Sequence, residues 1–312
     1  VSSVRSERTD SISRARWLLA HMLDWHWREE KVAWWEYFRL RELADEDYLD
    51  EKAAITGLEF VEELPKVGKE RRKRHRYRYP DQITEIREDA KLRDGGGGSF
   101  GDVIAVHDSV IDILKSTKRT DDHPLSIFAH SAVPGTIMEQ SLLRMAEWVC
   151  EHGVNGADTP NAPYRAGRDL LLNLSPRLSP DAPKELRQPG EELLDTTCRL
   201  ALQLDGGVLS IQGPPGSGKT YSGGRMIATL VKAGKRVGVT AVSHKVIANL
   251  LTSAVEAAAE MGAPLRCVQK VGQVSEEKPQ DIIECSDNGT PLQMLDECEA
   301  QVAGGTAWMW AR

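Results

Sequence analysis

At 312 residues the chain is long enough to bury more than one core, and with 40% apolar and 28% charged residues its composition is that of an ordinary globular protein. No apolar run approaches the roughly 20 residues that cross a bilayer, and the polar opening VSSVRSERTD lacks the apolar core of a secretory signal. A formal charge of −7 argues against a uniformly basic nucleic-acid binder, though not against a local patch. Five scattered cysteines (Cys150, Cys198, Cys267, Cys285, Cys298) form no CxxC pair, which argues against a zinc or disulfide framework and points to a reducing cytoplasm.

Residues 7–43 read as helical, with Leu18, Met22 and Trp25 at helical spacing and Asp10 or Ser11 as a possible cap. The stretch is dense in rings: Trp17, Trp25, Trp27, Trp34, Trp35, Tyr37 and Phe38. Such rings either pack against a neighbouring domain or serve as stacking platforms for bases. His21 and His26 stand five apart, which suits neither a helical metal pair nor a catalytic dyad.

Residues 57–118 change character. LEFVEEL, HRYRYP, DVIAVH and VIDILK are short β-type runs between charged or glycine-rich turns, predicting a small barrel or meander. KVGKERRKRHRYRYP sets eight Lys or Arg between positions 66 and 78 against one Glu. It reads either as a solvated hairpin tip or as a phosphate contact through Arg71, Arg72, Lys73 and Arg74, with Tyr77 and Tyr79 interleaved. GGGSFGDV (96–103) fits a kinase glycine loop, with Lys115 near the place of the strand lysine. Neither HRD nor DFG follows, so a hairpin turn needing positive φ is the better reading.

Helix is expected again from about 136 to 173, with Ile137, Leu142, Met145 and Trp148 on one stripe. A proline-rich linker follows at 175–192, then a helix at 191–204. VLSIQ (208–212) reads as a buried strand leading into GPPGSGKT (213–220), a full GxxxxGK[ST] match, with a helix continuing from Ser222 to Lys232. Each residue type has a task. Gly213, Gly216 and Gly218 let backbone approach phosphate, while Pro214 and Pro215 lack N–H groups, so the amide cradle comes from Gly216, Ser217, Gly218, Lys219 and Thr220 at a helix N-terminus. Lys219 is placed to reach the β- and γ-phosphates of ATP, Thr220 to ligate Mg²⁺, and Tyr221 to border the nucleotide. RVGVTA (236–241), a helix at 246–262 and LRCVQKV (265–271) continue an alternation that predicts a parallel, RecA-like sheet.

IQGPPGSGKT followed by a strand ending in TAVSHKVIANLL resembles motifs I and Ia of superfamily 1 helicases, in the 5′-to-3′ branch of Upf- and Dna-type enzymes. ARWLLAHMLDWHWREEKVAWWEYFRL resembles the segment joining a RecB-like nuclease to such a helicase in bacterial fusion proteins, and the β segment occupies the place of that branch's inserted barrel. The resemblance implies an ATP-dependent helicase moving on a single strand, DNA favoured over RNA, with the strand gripped by Thr240, Ser243, His244 and Lys245 of motif Ia. It also implies a fused nuclease and a second RecA-like lobe outside this sequence, and no membrane. Two departures stand out. The family's adenine-reading Gln is here Thr196, with Gln203 off register, and AGGTAWMWAR resembles the strand before the acidic motif II, with no DEAx after it. The chain thus reads as a piece of a larger protein that by itself binds ATP weakly and scarcely hydrolyses it.

The expected layout is a helical connector (1–50), a barrel-like β domain (51–135), a helical segment with linker (136–190) and a P-loop α/β domain (191–312). Rival readings are a P-loop ATPase that remodels protein or RNA, and a nucleotide-dependent nucleic-acid module that never unwinds.

Overall fold

The computed structural model describes residues 2–68, 70–131, 134–156, 159, 162–183, 185–274 and 281–311. Lys69 of the basic run, Lys184 of the proline-rich stretch and Arg312 lie outside them. In chain order the elements are α1 (Ser2–Leu23), α2 (Trp25–Arg41), β1 (Ala54–Ile55), β2 (Glu59–Leu64), β3 (Arg74–Arg78), β4 (Lys91–Asp94), β5 (Ser99–His107), β6 (Val110–Lys115) and β7 (Ile127–Ala129). They continue as α3 (Thr136–His152), α4 (Arg165–Leu172), α5 (Leu193–Gln203), α6 (Lys219–Lys232), β8 (Val237–Val239), α7 (His244–Glu260), β9 (Cys267–Lys270), β10 (Ile282–Cys285), α8 (Thr290–Asp296), β11 (Val302–Gly304) and α9 (Ala307–Trp310).

The chain divides into two units, residues 25–135 and residues 1–24 with 136–312. The helical stretch 7–43 is therefore split: α1 belongs to one unit and α2 to the other, with the break at Asp24.

In the first unit the strands run antiparallel in the order β1-β7-β4-β5-β6-β3-β2. The two ends of that order, β1 and β2, are halves of one stretch of chain. The chain passes from one edge of the antiparallel sheet to the other through a kink at Gly57, whose φ of +72° favours glycine and whose added Cβ would sit 2.8 Å from Pro80. Ile55, Tyr77, Leu92, Phe100, Ile111, Ile113 and Ile127 fill the interior. The period of two along VIDILK turns Ile111, Ile113 and also Lys115 inward. The turn between β4 and β5 places Gly97 at φ +83°, the positive φ expected of the glycine run. Leu40 of α2 packs with Tyr48, Ala54 and Phe128 against this sheet.

The second unit holds a parallel sheet in the order β10-β9-β11-β8. One apolar layer is Val239, Cys267 and Val302 with Ile247, Leu251 and Ala254 of α7 and Ile227 of α6, and a second is Val268, Ala300 and Ala303, the two-sided burial typical of parallel strands. Gly224 lets α6 and α7 meet closely, since a Cβ there would lie 2.6 Å from the Ser253 carbonyl. Ala15 and Leu19 of α1 form a separate core with Ala146 and Val149 of α3.

Three expectations need correction. VLSIQ makes no ladder: 208–212 runs without strand pairing, because none of the described strands lies alongside to accept its hydrogen bonds. The neighbour of β8 is accordingly β11, not the stretch before the P-loop. Within TAWMWAR, Ala307–Trp310 is a short helix, and the strand is the preceding Val302–Gly304.

Candidate functional site

The sequence GPPGSGKT forms an exposed loop that ends at the first residue of α6. Gly216 and Gly218 hold φ of +79° and +80°, with no atom within 4 Å of where a Cβ would stand, so backbone here is open to an incoming ligand. A Cβ on Gly213 would instead run into Ser217 Oγ, which makes the loop's entry tight. The Ser217 N–H donates to the Pro214 carbonyl at 3.2 Å and shapes the turn. Lys219 folds back over the loop, its Nζ donating to the carbonyls of Gly213 (2.5 Å) and Pro214 (2.8 Å). It has no carboxylate partner among the described residues. Gly218 is the N-cap of a 14-residue helix whose side chain cannot cap, so the positive end of α6 stays available to an anion.

Thr220 and Tyr221 lie exposed on the first turn. Arg225, one turn on, sets its guanidinium 3.5 Å from the Tyr221 ring centre and pairs with Glu260 at 2.5 Å. The sequence reading missed Arg225, although its spacing of four from Tyr221 on a helix was signal enough. Ser253 Oγ donates to the Thr220 carbonyl at 3.3 Å, fastening α7 to the head of α6.

Thr240, Ser243, His244 and Lys245 sit at the end of β8 and the start of α7. Ser243 is the N-cap, its Oγ accepting from the Val246 N–H at 3.3 Å. The His244 carbonyl accepts from Gln269 Nε2 at 2.8 Å, a tie from β9 that the sequence reading did not foresee. Burial, and then the nearby charge of Lys270, hold the His244 imidazole below the ordinary histidine pKa, and its Nδ1 is buried without a hydrogen-bond partner. Thr240 and Lys245 are exposed. Thr196, at the adenine-reading position, is buried within α5, and its hydroxyl donates to the Glu192 carbonyl at 3.0 Å. Gln203 accepts from Arg199 at 3.0 Å.

Only Arg74–Arg78 of the basic run form the strand β3; Arg71, Arg72 and Lys73 lie in the hairpin connection between β2 and β3. Opposite β3 stands β2, which pairs Glu59 with Arg78, Glu62 with Arg76 and Glu63 with His75. Arg76 makes a two-pronged bond to Asp112, both contacts at 2.8 Å. Lys73 pairs with Glu63 at 3.2 Å and Arg74 with Glu70 at 2.6 Å. Arg72 pairs with Asp102 and donates to the carbonyls of Lys115 (3.0 Å) and Leu114 (2.6 Å). Arg71 alone of the four named cations is exposed with no described partner. Tyr77 and Tyr79 are buried in the core of the first unit and offer no face to a base.

Among the described residues no three His, Cys, Asp or Glu side chains gather as a metal site. For Mg²⁺ the fitting donor is the Thr220 hydroxyl, with phosphate oxygens and water as the customary remainder. No helix among the described residues is long and apolar enough to cross a membrane. No protein-family model matches the chain, and no curated protein matches it.

Proposed function

We propose that residues 213–221 bind ATP with Mg²⁺ and that the chain is the nucleotide-binding part of a motor that steps along single-stranded nucleic acid, DNA favoured over RNA. The observation that carries this reading is the head of α6: two glycines in the left-handed conformation, an uncapped helix N-terminus and a lysine without a carboxylate, all in one exposed loop. On that reading the amides of Gly216–Thr220 cradle the phosphates, and Lys219 leaves the carbonyls of Gly213 and Pro214 to reach the β- and γ-phosphates. Mg²⁺, when bound, neutralises phosphate charge, with Thr220 supplying one oxygen.

The all-parallel order β10-β9-β11-β8 supports a RecA-like sheet. The loop from Thr240 to Lys245 lies at the carboxyl end of β8, the edge at which open α/β sheets bind ligands. It supplies the motif Ia grip on the strand, with an uncharged His244 as a hydrogen-bonding partner and Lys245 as the cation. Superfamily 1 helicases are the kin this reading implies.

The test is coupling between the two ligands. A non-hydrolysable ATP analogue should change oligonucleotide affinity several-fold, with the reciprocal effect on analogue affinity. Lys219→Ala should remove that coupling. Nucleotide binding without any coupling would favour an ATPase that remodels protein, and no nucleotide binding would refute the proposal.

A further inference from the structure

The helix α2 uses one side against the antiparallel sheet and leaves another in solvent. Leu40 is buried, the Tyr37 hydroxyl donates to the Gly97 carbonyl at 2.8 Å, and His130 Nε2 bonds the Ala33 carbonyl at 3.0 Å. On the other side Trp27, Trp34, Trp35 and Phe38 are 55%, 41%, 68% and 45% exposed. At about 100° per residue, Trp34, Trp27, Phe38, Lys31 and Trp35 fall in that order within an arc of about 100°.

Two cations of this helix, Lys31 and Arg41, stand beside its exposed rings. Lys31 Nζ lies 3.4 Å from the Trp27 ring centre, and the Arg41 guanidinium lies 5.7 Å from that of Phe38. Neither has a carboxylate partner among the described residues. Glu36 and Glu51 are both engaged by Arg39, and Glu30 accepts the Gly135 N–H at 2.5 Å. The rings are not one apolar patch: Trp34 and Phe38 are tilted at 6.4 Å, and the Lys31 ammonium lies over the Trp27 ring. Cores of protein–protein interfaces are depleted of such charges, whereas alternating rings and unpaired cations match the bases and phosphates of a single strand.

We propose that this face of α2 is a stacking surface for single-stranded nucleic acid, with bases on Trp27, Trp34, Trp35 and Phe38 and phosphates at Lys31 and Arg41. From Trp27 to Phe38 it spans about 16 Å of helix. It involves no nucleotide-binding residue, so it stands or falls separately from the ATP reading.

The experiment measures binding of a dye-labelled oligothymidylate to the full chain without ATP, by anisotropy over a range of salt. Trp27→Ala combined with Trp35→Ala should weaken binding at least fivefold, from stacking worth about 1–3 kcal/mol per base. Trp35→Phe should retain most of the affinity, and Lys31→Gln should lower the salt slope by about one. Should the double variant fail to fold, Trp35→Ala and Lys31→Gln alone decide the matter. No binding by the unaltered chain would overturn the proposal, as would unaltered affinity and slope in folded variants. A change of oligomeric mass at unchanged oligonucleotide affinity would assign the face to a protein contact instead.

Discussion

Two stretches of this chain invite the same reading, a cation waiting for phosphate, and the fold treats them in opposite ways. In β3 and the turn before it the cations face carboxylates: Arg76 holds Asp112, Lys73 holds Glu63, Arg78 holds Glu59 and Arg72 holds Asp102. In the glycine loop Lys219 faces only carbonyls, at 2.5 and 2.8 Å, which a phosphate can displace without leaving an acid unpaired. The difference teaches that a basic run must be weighed against what the neighbouring strand places opposite it. Of the eight cations between 66 and 78, Arg72, Lys73, Arg74, Arg76 and Arg78 meet carboxylates, Glu59 and Glu63 from EFVEEL alongside and others from Glu70, Asp102 and Asp112. Among the described residues no carboxylate meets Lys219.

The comparison is broken most directly by replacing Arg71, Arg72, Lys73 and Arg74 with alanine. Because three of the four hold carboxylates within the first unit, denaturation should show a loss of about 2 kcal/mol, chiefly from Arg72 and its bonds to Asp102, Leu114 and Lys115. The salt slope of single-strand binding should fall by no more than about one, the share of Arg71. A fall of three or four with stability unchanged would mean that these pairs open to phosphate and that the β2–β3 hairpin and the glycine loop are alike after all.

A smaller effect sharpens the contrast from within the same unit. Lys115 is a cation that the fold buries completely: its Nζ donates to the Asp122 carbonyl at 2.6 Å and to the Tyr77 hydroxyl at 3.2 Å, and lies 3.5 Å from the Phe100 ring centre. Burial pushes its pKa down to about 8, against the pull of Asp122, Asp121 and Asp94 and with the push of Arg119. The unfolded chain, with lysine near 10.4, therefore holds more protons than the folded one between about pH 8 and 10. Stability of this unit is thus lowest below pH 8 and rises with pH across that window. Hydrogen exchange of the β6 amides should report a gain of about 1 kcal/mol from pH 8 to 9. Lys115→Met should flatten the rise. A profile that falls over this range would mean that the ammonium is held by a counter-charge rather than merely tolerated.

Much of the antiparallel sheet was legible because period-two runs are local: VIDILK became β6 at its written limits, and the glycine run became a positive-φ turn. The exposed glycine loop at 213–220 and the helix start at Lys219 were legible because glycine spacing and helix start are neighbours in the chain. What depends on distant partners was not. VLSIQ has the composition of a strand, yet strand pairing needs a hydrogen-bonding neighbour that a local window does not contain. Apart from Glu70, the acids that meet the basic run include residues of β2, β5 and β6, and no count within 66–78 could include those. The burial of Lys115 was in principle readable, since it shares the parity of Ile111 and Ile113, but a lysine at a strand end is ordinarily assigned to solvent. Thr196 matched a family position by counting alone, and its hydroxyl is committed to the α5 backbone.

The central claim is that Lys219 serves a ligand while the cations of the β2–β3 hairpin serve the fold. Titration of a fluorescent ATP analogue in Mg²⁺ against the unaltered chain, Lys219→Ala and the quadruple hairpin variant tests it in one measurement. Loss of a charge-assisted phosphate contact should weaken nucleotide binding about 10- to 100-fold in Lys219→Ala, while the hairpin variant stays within about twofold. Equal affinity for all three proteins, or a loss confined to the hairpin variant, would contradict the account.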